Sequence, residues 1–181
     1  MNRYRLRPLL PSDADLMLRW RNSDRIRAVM YTDELITPNR HRMWFQEISR
    51  RIDICYRLFE VDGVSVGLVY FTQIDRLQKR CVWGFYLGEN SLPKGTGSHL
   101  GFLGLEYAFN ELDMKTIRGE SFMFNFPALA LHRKLGFTQE TQLQTHVKKN
   151  GHDENVAVFT LTKEDWEGYR ETIRTKLTAG N

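Results

Sequence analysis

The order of local patterns predicts an α+β (mixed α/β) layered domain with a central sheet, and three observations support that expectation. A helical first third gives way near residue 55 to runs of β-branched and aromatic residues. Asp62-Gly63 stands between two of those runs as a two-residue hairpin turn. The second half then alternates strand and helix patterns. With 181 residues, one domain spanning 1–181 with its own core is expected.

The elements follow in order. Tyr4–Arg7 reads as an opening strand. Ser12, with Asp15 three residues on, resembles a capping box and predicts a helix through Arg21. A short helix is expected from Ser23 to Met30. Thr37-Pro38 places an N-cap before a proline at the first helical position, and a helix should run to about Arg50. Strands are expected at Tyr56–Val61, Val64–Thr72 and Arg80–Leu87. A glycine-rich loop, Gly88–Gly97, opens the helix Ser98–Leu112. Thr116–Met123 is a strand and Pro127–Leu135 a helix, stopped at Gly136-Phe137 by a glycine C-cap. Two late strands, Gln142–Val147 and Asn155–Leu161, flank a turn at Asn150-Gly151. Thr162 caps a polar final helix.

Composition narrows the function class. Hydrophobic residues make up 41% and charged residues 27%, the balance of a soluble globular protein. The longest apolar stretches, such as Val64–Phe71, fall far short of the roughly 20 residues that span a bilayer. The N-terminus has no apolar run of the signal-peptide kind. A cytoplasmic protein with two buried thiols, Cys55 and Cys81, and no disulfide or metal site is expected, because no Cys-x-x-Cys or Cys/His cluster occurs. Residues 1–51 hold eleven arginines against six acids, so the +4 net charge sits in the first third and would attract an anionic ligand. No helix shows a basic stripe with aromatic platforms, which speaks against nucleic acid.

The sharpest local signal is Leu87-Gly88-Glu89-Asn90-Ser91-Leu92-Pro93-Lys94-Gly95-Thr96-Gly97-Ser98-His99, a strand running through glycines into a helix. Glycines let the backbone approach a ligand, and free N–H groups in a helix's first turn point at anionic oxygen. A plain strand–helix connection would use the same residues. The spacing is neither a Walker A nor a GxGxxG fingerprint. A second signal follows: Asn125-x-x-Ala128-x-x-x-His132-x-Lys134-Leu135-Gly136-Phe137.

Together with Gly95-x-Gly97, this second motif resembles the two signatures of the GNAT superfamily of N-acetyltransferases. The resemblance covers almost the whole chain and implies a twisted mixed sheet of about seven strands flanked by helices. It also implies acetyl-CoA as co-substrate, with its pyrophosphate in the loop of Lys94, Gly95, Thr96, Gly97, Ser98 and His99. The pantetheine arm would lie along Phe85 and Leu87, with Asn125 and Lys134 nearby. His132 stands where the family commonly has a tyrosine that protonates the departing thiolate, and Leu92 stands where it usually has Gln or Arg. His132 is therefore a candidate donor or a ring that packs beside the cofactor.

A finer resemblance lies outside those motifs. Trp20-Arg21-Asn22, Met30-Tyr31, His41-x-x-Trp44-Phe45, Trp83-Gly84-Phe85-Tyr86 and Glu120 before Asn125 are similar to the amino-sugar acetyltransferases of pseudaminic acid biosynthesis. That branch implies acetylation of the 4-amino group of UDP-4-amino-4,6-dideoxy-N-acetyl-β-L-altrosamine, a precursor of surface and flagellin glycans. Met30, Tyr31, Trp44 and Tyr86 would wall the apolar sugar, Arg21 and Arg42 would meet the diphosphate, and His41 fits the same pattern. Glu120 would hold the amine or take its proton. Met30 and Trp44 are equally readable as core residues, and Glu120 as an ion-pair partner. The alternatives are a ribosomal-protein-type N-terminal acetyltransferase, another amine acceptor such as a polyamine, and a non-catalytic acyl-CoA-binding module. A homodimer is the default expectation for a soluble enzyme of this size.

Overall fold

A computed structural model describes residues 3–140, 145–149 and 151–179. The chain opens with β1 (Tyr4–Pro8), a tight turn at Pro11–Asp13, and three helices, α1 (Ala14–Asn22), α2 (Asp24–Arg27) and α3 (Pro38–Ile48). The antiparallel meander β2 (Cys55–Val61), β3 (Val64–Asp75) and β4 (Arg80–Leu87) follows. Next come α4 (Thr96–Glu106), β5 (Thr116–Phe122) and α5 (Phe126–Lys134). The two-residue β6 (Thr138–Gln139), β7 (Thr145–Lys149), β8 (His152–Thr162) and α6 (Lys163–Ala179) complete it.

Among the described residues the sheet has eight strands, in the order β1-β2-β3-β4-β5-β8-β6, with β7 also on β8. The extra strand is β6, too short to show a period of two in sequence. Asp62 and Gly63 both take positive φ, as a type I′ hairpin demands. Of the expected late strand Gln142–Val147, residues 142–144 lie outside the described residues, as does Asn150 of the turn. Two helix starts differ from expectation. Ser12 caps nothing; Asp13 instead accepts the Leu10 N–H at 2.6 Å and grips Arg7 at 2.7 Å. The helix expected from Ser98 begins two residues earlier and widens into a π-helical turn at Tyr107–Glu111.

The sheet buries both faces. Phe59, Val69, Phe71, Ile117 and Phe159 pack against α4, α5 and α6 on one side. On the other, Leu58, Leu68 and Tyr86 meet Met17 and Trp20 of α1 and Ile26 of α2. Period-two alternation along β2, β3 and β4 sends neighbouring side chains to opposite cores. This second, smaller core matters for function because it ends in an open chamber rather than closing completely.

Candidate active site

The site begins where two strands part. β4 and β5, the one parallel pair among the described residues, stay in register from Arg80↔Thr116 to Trp83↔Gly119 and no further. Residues 84–87 continue to pair with β3, and residues 120–122 with β8. A V-shaped splay opens between them, and past Trp83 the β5-facing edge of β4 has no strand partner among the described residues. Three cavities meet at this splay.

The largest, about 630 Å³, is a cleft between the end of β4, the start of α4 and one side of α5. Gly95, at φ +88°, is the N-cap of α4, and a side chain there would meet nothing within 4 Å. The N–H groups of Gly95 and Gly97 find no protein acceptor among the described residues. Lys134 reaches across from α5 to place its Nζ 2.8 Å from Ser98 Oγ. Arg25 donates from Nη2 to the carbonyls of Leu87 and Gly88, both at 3.0 Å. The cleft is lined by these two cations and by no described carboxylate. A helix N-terminus with flanking cations suits a diphosphate, and the apolar walls Phe85, Leu87 and Leu131 suit an alkyl arm, so the cleft fits acetyl-CoA.

Seven of the expected cofactor residues, Phe85, Leu87, Gly95, Gly97, Ser98, Asn125 and Lys134, line this cleft. Three do not. Thr96 is buried and spends its hydroxyl on the Pro93 carbonyl at 2.7 Å, closing the turn. Lys94 is exposed and outside the wall. The His99 ring stacks on Tyr4 at 3.8 Å, and burial, then Arg3 and Lys134, lower its pKa.

The second cavity, about 320 Å³, fills the splay itself and contains both candidate catalytic residues. Glu120 is the first residue of β5 beyond the last pair with β4. Its Oε2 accepts the Tyr31 hydroxyl, and its Oε1 lies 3.4 Å from Arg118 Nη2. Partial burial and the neighbouring carboxylate push the Tyr31 phenol pKa up, so Tyr31 remains the donor. Tyr31 also meets Phe122 edge-on at 5.4 Å. Buried Lys149 of β7 pins the same loop, donating to Met30 O at 2.7 Å and Arg27 O at 3.1 Å.

His132 does not have what a proton donor requires. Its ring is buried among Trp83, Phe137 and Phe159. Nε2 lies 3.2 Å from the Trp83 indole N–H, which only donates, so Nε2 must accept. Nδ1 must then hold the hydrogen, which it gives to Ala128 O at 2.8 Å. Burial holds the imidazole pKa down to about 4. At neutral pH the ring is uncharged and both nitrogens are engaged.

The third cavity, about 360 Å³, lies beneath α1 and α3 on the smaller-core face. Arg21, Met30, Tyr31, His41, Trp44 and Tyr86, six of the expected acceptor residues, line it, whereas Glu120 lines the splay. His41 is buried beside Trp44, at 5.1 Å between rings, and burial lowers its pKa. Arg42 is outside the wall, and Arg40 lines it instead. Two positions along a helix turn through about 200°, so one of these arginines must face away. Arg21 bonds the carbonyl and hydroxyl of Thr32 through Nη2, while its buried Nη1 has no acceptor among the described residues and burial lowers the guanidinium pKa. Sequence reasoning missed Tyr56 and Tyr70, which pair across β2 and β3 and stack at 5.3 Å. Alternation puts both on the face of Leu58 and Leu68, a signal that was present but ordinary for any strand.

Fold, splay and cleft define an acetyl-CoA-dependent acyl-transfer protein. The sequence profile of the acetyltransferase (GNAT) domain matches residues 3–138, and the chain belongs to that family. It is an acetyl-CoA-dependent N-acetyltransferase. The SPbeta prophage-derived N-acetyltransferase YokL of Bacillus subtilis is 29% identical over 133 residues, covering 72% of this chain and 74% of YokL. The acetyltransferase PseH of Campylobacter jejuni is 29% identical over 126 residues, covering 70% of this chain and 77% of PseH. Spermidine N-acetyltransferase from Vibrio cholerae, solved with CoA and spermine, superposes with a TM-score of 0.85 at 17% identity, covering 91% and 98% of the two chains.

Proposed function

We propose that the acceptor is the 4-amino group of a UDP-linked 4-amino-4,6-dideoxy-N-acetyl-hexosamine, the altrosamine of pseudaminic acid biosynthesis, and that the amine attacks directly in a ternary complex. The observation that supports this reading is the chemistry of the 360 Å³ chamber. Trp44, Tyr56, Tyr70 and Tyr86 offer aromatic faces to a sugar ring and its methyl group. Arg21 and Arg40 outnumber Glu34 there, a balance that favours a phosphate-bearing amine over a polycation. Resemblance to the amino-sugar branch and similarity to PseH point the same way.

Bound acetyl-CoA supplies an activated thioester. Glu120, oriented by Tyr31 and Arg118, accepts the amine proton directly or through water. The unpaired backbone edge of β4 beyond Trp83 offers N–H donors to developing charge on oxygen. No nucleophilic cysteine is needed: burial raises the Cys81 thiol pKa to about 12, and Cys55 lines none of the three cavities.

The test is CoA release, followed with a thiol reagent, across UDP-4-amino-4,6-dideoxy-hexosamines, spermidine and an N-terminal ribosomal-type peptide. Turnover on the nucleotide sugar is expected. Turnover confined to spermidine or peptide overturns the acceptor assignment while leaving the family activity in place.

A further inference from the structure

Tyr70 of β3 pairs across the ladder with Gly84, the first residue of β4 beyond the last β4–β5 pair. The phenol leans over that glycine. A Cβ at position 84 would lie 2.2 Å from Tyr70 Cζ and 2.3 Å from its hydroxyl oxygen, so glycine alone admits this approach. The ring tip therefore rests over the point where the two strands part, and Tyr70 lines both the acceptor chamber and the splay. Its hydroxyl finds no hydrogen-bond partner among the described residues. Tyr70 is half-buried, and both cavities that it lines are open. Burial raises its pKa against the pull of Arg21, so the hydroxyl stays protonated and able to donate. His132, whose ring nitrogens are both engaged, leaves the splay without the side-chain donor that the sequence suggested.

We propose that Tyr70 is a catalytic residue whose hydroxyl donates a hydrogen bond to the carbonyl oxygen of the acetyl group held in the splay. Its proton is never transferred. The amine nitrogen bonds to the carbonyl carbon, the amine proton goes to Glu120, and the electron pair of the breaking C–S bond leaves on sulfur. Tyr70 ends the step unchanged, having stabilised charge on oxygen during it. A leaning aromatic ring also covers a cross-strand glycine and so steadies the ladder. Tyr70→Phe keeps that cover and removes only the hydroxyl. The inference rests on acetyl-CoA in the splay, not on the choice of acceptor.

The decisive measurement is difference infrared spectroscopy of acetyl-CoA labelled with 13C at the thioester carbonyl, bound without any amine. The carbonyl band is expected at lower frequency in wild type than in Tyr70→Phe, with acetyl-CoA affinity weakened by no more than about tenfold. Gly84→Ala, which displaces the ring tip, should reproduce the Tyr70→Phe band and serves as the second variant. With an active amine, Tyr70→Phe should lower kcat about 100-fold. An identical band in wild type and Tyr70→Phe overturns the assignment. A silent amine panel counts only against the acceptor reading, because the infrared result needs no acceptor.

Discussion

The cleft that fits acetyl-CoA and the chamber under α1 and α3 meet at one splay, yet they are assembled by different means. The cleft is largely backbone: a left-handed Gly95, open N–H groups at the start of α4, and a strand edge without a partner. The chamber is almost all side chain, gathered from α1, the loop after α2, α3 and three strands. Backbone recognition reads what every acetyl-CoA shares, whereas side chains can be exchanged to change the amine without disturbing the fold. The shared wall is the segment from Arg25 to Tyr31, which touches the cleft at one end and Glu120 at the other.

This division can be broken at its joint first. Glu120→Gln keeps shape and hydrogen bonding to Tyr31 but removes the base, so kcat should fall by about 100-fold or more with the acetyl-CoA KM unchanged. Steady-state kinetics in both substrates would reveal a defect in acetyl-CoA binding instead, which would shift Glu120 to the cleft's account. The two cavities can then be separated by a matched pair. Trp44→Ala should raise the acceptor KM about tenfold and leave acetyl-CoA affinity alone, while Lys134→Ala should do the reverse. Calorimetry with acetyl-CoA and initial-rate kinetics with the amine read the two effects independently, and a variant that moved both constants equally would erase the distinction.

The smallest catalytic effect is expected at His132. His132→Phe should keep kcat within about threefold of wild type, because a neutral, doubly engaged imidazole transfers no proton. Stability should respond instead. The variant leaves the Trp83 indole N–H without its acceptor, at about 1–3 kcal/mol near pH 7. In wild type, the unfolded imidazole takes up a proton below 6.5 while the folded one resists until about 4. Unfolding therefore binds a proton across that window, and stability falls with pH by about 3 kcal/mol in total. Urea denaturation at pH 7 and pH 5 should show the gap between variant and wild type narrowing toward acid.

The fold was legible because its signals are local. Thr37-Pro38, Asp62-Gly63 and Gly136 each impose their conformation through residues within a few positions, and each does so in the structure. The same holds for Gly95, whose left-handed backbone opens the first turn of α4 whatever surrounds it. Asp13 shows the limit of that reasoning. Ser12 had the better capping pattern, but Arg7, brought alongside by β1, gives Asp13 an ion pair that no local rule contains.

By itself, then, the sequence marked out most of the residues that line the cleft and the chamber. Whether His132 could donate a proton was decided only by the tertiary structure. Its tautomer and charge are set by Trp83, forty-nine residues away, and by the burial that neighbouring rings impose. Tyr70 is the converse case, unremarked in a strand until pairing laid it over Gly84 at the mouth of the splay. A protonation state and an open hydroxyl are properties of surroundings, and surroundings exist only once distant segments have packed.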